Sequence, residues 1–221
     1  MNDVLQIKIR DLSFFIGYSY HFLLLFSIFR PILCDRIIKL LMTINFRNID
    51  YLNSGNEVQK KAYRLLMDYQ IINRLEDYSP IVVGTIPIQI DVDGSDVDII
   101  LCVDDFDALE EKLSLNFSQH AHFRLQRTAG HVIVCSFSIE EQLFEIYATD
   151  KATEIQNGYL HMLKEHEIIQ LRGEEFAEQV RQLKRSGVKT EPAFCQLLGI
   201  EGDAYTELLK FNPADNSINY E

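Results

Sequence analysis

Basic residues are scarce. Lys plus Arg number 21 against 33 Asp plus Glu in a chain of 221 residues, a formal net charge of −12. That shortage excludes broad, sequence-independent binding to duplex nucleic acid, which needs a basic surface. It leaves room for a small anionic substrate whose charge is offset by metal ions. Cysteine is also sparse. Cys34, Cys102, Cys135 and Cys195 are far apart, with no Cys-x-x-Cys. They give no support to a disulfide framework or a zinc site. Cys102 and Cys135 sit in apolar, strand-like runs and read as core thiols, which fits a reducing cytoplasm. Internal repeats, low-complexity tracts and long linkers are missing too. What is present is a globular composition, 47% apolar and 24% charged. It suits one sizeable domain, or one domain plus a small appendage.

The charge is unevenly spread. Residues 1–41 are net +2, so the remaining 180 are net −14. Residues 12–29 carry no charge at all; 13 of these 18 are apolar and seven are Phe or Tyr. The run just reaches the length of a membrane-spanning helix, but basic residues flank it on both sides and leave its orientation unspecified. As a signal peptide it lacks a small-x-small cleavage site. Leu33 before Cys34 does not fit a lipidation box. A third reading is an over-extended start. Met42 opens a segment of ordinary soluble composition, and the shift favours this reading over a membrane anchor. The expected division is therefore an apolar extension over 1–41, a core over 42–150 and a helical region over 151–221.

Periodicity sets out the elements. Val58, Ala62, Leu65, Leu66 and Tyr69 predict a helix over 53–69. A second short helix or turn covers 71–78, ended by Pro80. Residues 81–83 form a short buried strand stopped at Gly84-Thr85, with a short helix expected to open after it. Strands are predicted over 97–103, 122–127, 131–137 and 143–147. Asp104 and Asp105 offer caps for a helix through Leu113. Turns at Ala129-Gly130 and Glu140-Glu141 join the last three strands. Helices follow over 153–171 and 174–185. Two more start at Thr190 and Asp203, each read as its own cap, and Gly199 closes the first of these two. The fold class is α+β, a mixed sheet flanked by helices with a helical C-terminal part.

The chemistry lies between Gly84 and Asp98. On a strand, residues two apart share a face, so Asp96 and Asp98 present two carboxylates side by side while Val97 and Ile99 turn to the core. Two like charges so close are costly unless a cation sits between them. Mg²⁺ is the natural partner, a hard ion suited to carboxylates and nucleotide phosphates. Gly84 lets a ligand approach the backbone, and Thr85 with the following amides would cradle a phosphate. Glu145 lies between apolar neighbours on a strand expected to be central. Buried and unpaired it would be expensive, so it reads as the third metal carboxylate or as a general base.

The pattern Gly84-Thr85, a spacer, Asp96-Val97-Asp98 and a later acidic strand residue resembles the DNA polymerase beta-type nucleotidyltransferase superfamily. The chain is more similar still to a bacterial family of minimal nucleotidyltransferase-like proteins. The carrying stretches are residues 46–52 with Gly55-Asn56, then 83–88, 94–99, 156–162 and 188–194. They span nearly everything after Met42 and leave 1–41 outside. The resemblance implies a mixed sheet flanked by helices and two Mg²⁺ ions held by Asp96, Asp98 and Glu145. It also implies a phosphate-binding turn at Gly84 and Thr85, and transfer of a nucleotidyl group with loss of pyrophosphate. Thr85 stands where Ser is usual, and Glu145 where Asp is commoner.

Other residues divide between bland and functional readings. Lys189 precedes a helix start and either reaches a triphosphate or lies solvated on the surface. His161 and His166 are five apart, so they do not share a helix face, and structural roles are expected for both. His120 and His122 are read as solvated. Arg124 and Arg127 are expected on opposite faces of their strand. Asn157 and Tyr159 either contact a base or acceptor, or pack the helix. Two functions follow. One is a cytoplasmic, Mg²⁺-dependent nucleotidyltransferase acting on a small-molecule or protein acceptor. The other is a non-catalytic nucleotide-binding or regulatory, antitoxin-like module on the same fold. A membrane-tethered form of either would rest on residues 12–29 alone.

Overall fold

The structure is a computed structural model that describes residues 44–128 and 131–212. The apolar run over 12–29, the expectations about where the chain begins and the Ala129-Gly130 turn lie outside the described residues. Among those described, no helix is long and apolar enough to cross a membrane.

Two short helices, α1 (Asp50–Asn53) and α2 (Glu57–Asp68), open the described chain, followed by α3 (Ile71–Arg74) and a 3₁₀ turn at Glu76–Tyr78. The strands are β1 (Ile81–Val83), β2 (Val97–Cys102), β3 (Ala121–Thr128), β4 (Val132–Ile139) and β5 (Gln142–Thr149), with α4 (Phe106–Phe117) between β2 and β3. A 3₁₀ turn at Thr153–Ile155 leads to α5 (Asn157–Arg172), α6 (Glu174–Arg185), α7 (Thr190–Leu198) and α8 (Ala204–Lys210). The fold is α+β. Its five-stranded sheet runs β1-β2-β5-β4-β3, and only the β2–β5 pair is parallel.

Side-chain alternation assigns the two faces. Val97, Ile99 and Leu101 of β2 join Phe144, Ile146 and Ala148 of β5 and Ile133, Cys135 and Phe137 of β4 in one core. Helices α2 and α4 close it through Leu65, Leu66, Leu109 and Leu113. The other face starts from Ile81, Val83 and Ile100, and α5 to α8 cover it with Met162, Ile168, Val180, Phe194 and Leu208. Burying each such side chain contributes roughly 1.5–3 kcal/mol. Because the period is two, Asp98 and Glu145 must face the C-terminal helices.

Several boundaries differ from the sequence reading. The helix expected to begin at Asn53 begins at Glu57, because Asn56 caps it. The Asn56 side chain accepts from Gln59 N at 2.9 Å, and Gln59 Oε1 accepts from Asn56 N at 3.1 Å. This is a reciprocal box of the Ser/Thr-x-x-Glu kind. No helix opens after Gly84-Thr85; the chain turns instead, with Gln89 N donating to Ile86 O and Ile90 N to Thr85 O. Asp203 does cap α8, accepting from Thr206 N at 3.0 Å. Thr190 does not cap α7; Lys189 holds that position without a side-chain bond. Gly199 closes α7 in the left-handed region, φ 67°. The Glu140-Glu141 turn has both residues at positive φ, as a tight hairpin requires. Cys135 is fully buried and its thiol is pushed up to about 12 by burial. Cys102 is only half-buried, since it lies on the opposite face of the sheet.

The turn after Thr85 is held from a distance. Gln59 is 2% exposed, and its Nε2 donates to the carbonyls of Ile86 and Pro87, each at 3.0 Å. Its Oε1 also accepts from Gln89 Nε2 at 2.9 Å. Gly55 makes room for it, since a Cβ there would overlap the Gln59 amide. Gln59→Leu leaves two buried carbonyls and the Asn56 amide without this partner. It should lower stability by roughly 2–4 kcal/mol, read as the shift in urea midpoint at unchanged slope.

Candidate active site

The parallel pairing of β2 with β5 sets Asp98 directly opposite Glu145. The antiparallel pairing of β1 with β2 sets Val83 opposite Asp98. The residue after Val83 is therefore delivered onto Asp98. That residue is Gly84, at φ +83°, and a Cβ there would overlap Asp98 Oδ2. Gly84 is required twice, for its left-handed backbone and for this close approach. Asp96 lies two residues ahead of Asp98, just before β2 begins. Ser95 fixes the approach: its hydroxyl accepts from Val92 N at 2.9 Å, and its carbonyl accepts from Gln142 Nε2 at 2.9 Å.

These groups line one cavity of about 800 Å³, within the usual range for small-molecule sites. Gly84, Thr85, Asp96, Asp98, Glu145 and Lys189 all border it. The sheet forms one wall, and α5 with the ends of α6 and α7 forms the other. Gln156 joins the two walls. Its Nε2 donates to Leu101 O at 2.9 Å and to Lys151 O at 2.8 Å, tying the start of α5 to the sheet.

The electrostatics are those of crowded acids. Burial pushes the Asp98 carboxyl up to about 8, helped by the charges of Asp96 and Glu145. Burial and Asp96 also raise Glu145, while Lys189 pulls it back down. Lys189 is exposed, yet its charge reaches Glu145 from the cavity rim.

Sequence reading missed residues on the helical wall. Lys184 points into the cavity from the last turn of α6, where its ammonium donates to Ile90 O at 2.8 Å. Burial lowers its pKa, and Glu165, Asp91, Asp96 and Asp98 oppose that. His161, expected to be structural, lines the cavity with 5% exposure, and neither ring nitrogen has a hydrogen-bond partner. Glu165 and Glu191 stand beside it. His161 and Glu165 are one helical turn apart, a spacing visible in the sequence, but only the tertiary packing brings Glu191 to them. Asn157 also borders the cavity. His166 packs edge-on against Phe46 and burial lowers its pKa. Arg124 and Arg127 lie away from the cavity, and Arg127 pairs with Asp107 and Glu110.

The fold and site thus define an α+β protein with three carboxylates gathered on one face of the sheet, beside a cavity of small-molecule size. The chain belongs to the family described as Domain of unknown function (DUF4269), whose model matches residues 64–211. No curated protein matches the sequence. Among solved structures it is similar to Cid1, described with an RNA terminal uridylyl transferase activity. The TM-score is 0.48 at 11% identity, covering 61% of this chain and 44% of that one. It is also similar to the polymerase core of TRAMP, an RNA surveillance complex. There the TM-score is 0.42 at 14% identity, covering 81% and 63%. For the GLD-2/RNP-8 complex the TM-score is 0.42 at 16% identity, covering 72% and 56%. The chain spans less than half the length of the first of these.

A carboxyl raised by folding loses stability as pH rises. Below about pH 4 Asp98 is protonated in both states and carries no penalty. Between there and about 8 the unfolded chain releases the proton and the folded chain retains it, so stability falls. Without divalent ions, Asp98→Asn should therefore melt a few degrees above the unsubstituted protein at pH 8. The two should converge near pH 4. Melting curves across this range check it.

Proposed function

We propose that this protein is a Mg²⁺-dependent nucleotidyltransferase. It would move a nucleoside monophosphate from a nucleoside triphosphate to a small-molecule or protein acceptor. The observation that carries the reading is the pairing of Asp98 with Glu145 across the β2–β5 ladder, with Asp96 alongside and Gly84-Thr85 delivered onto Asp98 by β1.

The donor set fits the ion. Three carboxylates crowd one wall, Asp98 is held well above its usual range, and the ammonium of Lys184 is tied to a backbone carbonyl. An all-oxygen carboxylate set suits a hard divalent cation. Asp96, Asp98 and Glu145 would hold one or two Mg²⁺ ions, which supply charge neutralisation for the triphosphate and the departing pyrophosphate. Gly84 leaves the backbone open to a phosphate, and the Thr85 hydroxyl can donate to it. With no helix following, this turn lacks a helix-dipole contribution. Lys189 sits at the rim, where a positive charge favours the triphosphate. Glu145, on which the Lys189 charge acts, would complete the metal set or take the proton of an acceptor hydroxyl as that hydroxyl's oxygen bonds to the phosphorus nearest the sugar. The bond from that phosphorus to pyrophosphate then breaks. The acidic surface disfavours a large nucleic-acid acceptor. A cytoplasmic setting, which keeps thiols reduced, belongs to the same proposal.

Pyrophosphate release from nucleoside triphosphates, measured with Mg²⁺ and a pool of candidate acceptors, tests this. Asp96→Ala or Asp98→Ala should lower the rate at least about 100-fold while the far-ultraviolet circular dichroism stays unchanged. Undiminished release in both variants would refute it. Mg²⁺-dependent nucleotide binding without any release would point to the non-catalytic module.

A further inference from the structure

The helical wall of the cavity carries a group of side chains that the transfer reaction does not use. His161 and Glu165 lie four apart on α5 and so project from one face. Glu191 reaches them from the first turn of α7. One ligand atom from each lies within 4.8 Å of the others.

Two features separate this group from an ordinary acidic cluster. His161 is 5% exposed, and both its ring nitrogens are buried without a hydrogen-bond partner. Buried polar side chains nearly always have partners, and an imidazole has one nitrogen to donate and one to accept. Glu165 is 3% exposed, with the Glu191 carboxylate nearby. Lys184, the cation acting on Glu165, is engaged with the carbonyl of Ile90. A buried imidazole and a buried carboxylate lie within 4.8 Å of a second carboxylate, all three residues bordering the cavity.

We propose that His161, Glu165 and Glu191 form a second divalent-metal site, chemically distinct from the Asp96–Asp98–Glu145 set and selective for a Zn²⁺-class ion. Imidazole distinguishes the two. Borderline ions such as Zn²⁺ accept mixed nitrogen and carboxylate ligands, whereas Mg²⁺ prefers oxygen alone. Ligands 2.0–2.2 Å from one tetrahedral ion stand roughly 3.4 Å apart, so modest side-chain rotation closes the observed set. Three protein ligands leave a fourth position open toward the cavity, as in sites that bind water or a substrate group. The position of the site on the wall facing the acid set suits it to hold an anionic or carbonyl group of whatever occupies the cavity.

Zn²⁺ itself, titrated into the full-length protein in competition with a chromophoric chelator, tests the proposal. The unsubstituted protein and the Asp96→Asn/Asp98→Asn double variant should both retain a Zn²⁺ ion that excess Mg²⁺ does not displace. Both should also melt higher with Zn²⁺ present. His161→Gln and Glu191→Gln should weaken that binding on the order of 100-fold, since even an outer-shell partner is worth 10–100-fold. Glu191 is only half-buried, so its variant keeps the test valid if His161→Gln fails to fold. Equal Zn²⁺ affinity in the unsubstituted and Glu191→Gln proteins would overturn the site. Loss of the ion in the Asp96→Asn/Asp98→Asn variant alone would overturn it too, and would assign Zn²⁺ to the acid set.

Discussion

Two carboxylates stand opposite each other across a parallel strand pair, and the rest of the site follows from that arrangement. Like charges directly opposed on a sheet are destabilising. Here the register allows nothing else. Val97, Ile99 and Leu101 on β2 and Phe144, Ile146 and Ala148 on β5 are all buried in one core. A slip of one residue on either strand would drive Asp98 or Glu145 into that core and expose the apolar set. The apolar pattern therefore forces the acids to the opposite face and to the same height. The raised Asp98 carboxyl is the electrostatic record of that packing decision.

The cost is met by shape as well as charge. β1 is only three residues long, so its end falls level with Asp98. The chain can leave it only through a residue without a side chain. The turn beyond is then fixed by Gln59, whose amide reaches across from α2 to the carbonyls of Ile86 and Pro87. An element on the far face of the sheet thus sets the position of the loop that borders the cavity. The helical wall is fixed independently by Gln156, through its bonds to Leu101 and Lys151. Two buried amides, one on each side, hold the two walls in place.

The sheet and its acids were legible in the sequence because both are short-range signals. Strand alternation gives the facing of Asp98 and Glu145, and the Gly-Thr break locates the end of β1. The helix expected after Thr85 failed for a physical reason. Ile86 and Ile88 are buried, but they pack in a turn whose carbonyls are satisfied by Gln59 rather than by a helical ladder. Thr190 reads as a cap from its residue type, yet the chain gives that position to Lys189. The His161 group was hidden for a different reason. His161 and His166 invite comparison because both are histidines, and their spacing argues against a shared face. The partner that matters is Glu165, and Glu191 joins only through the packing of α7 against α5 and α6.

The net charge is a poor guide to the field inside the cavity. Its walls carry two groups of acids, but also Lys184 and Lys189. Lys189 is exposed at the rim and acts on Glu145, whereas Lys184 is half-buried and acted on by Glu165, Asp96 and Asp98. Lys184 alone is one positive charge facing four or more carboxylates, and burial weakens its hold on the proton. A charge imbalance of that size in a low-dielectric space is relieved by protonation or by bound cations. Burial and the neighbouring acids raise both the Asp98 and the Glu165 carboxyls, in keeping with that imbalance. A triphosphate entering the same space would add negative charge that protonated carboxyls cannot offset. On the proposed function, cations and triphosphate would therefore enter together, and nucleotide binding would depend on the metal.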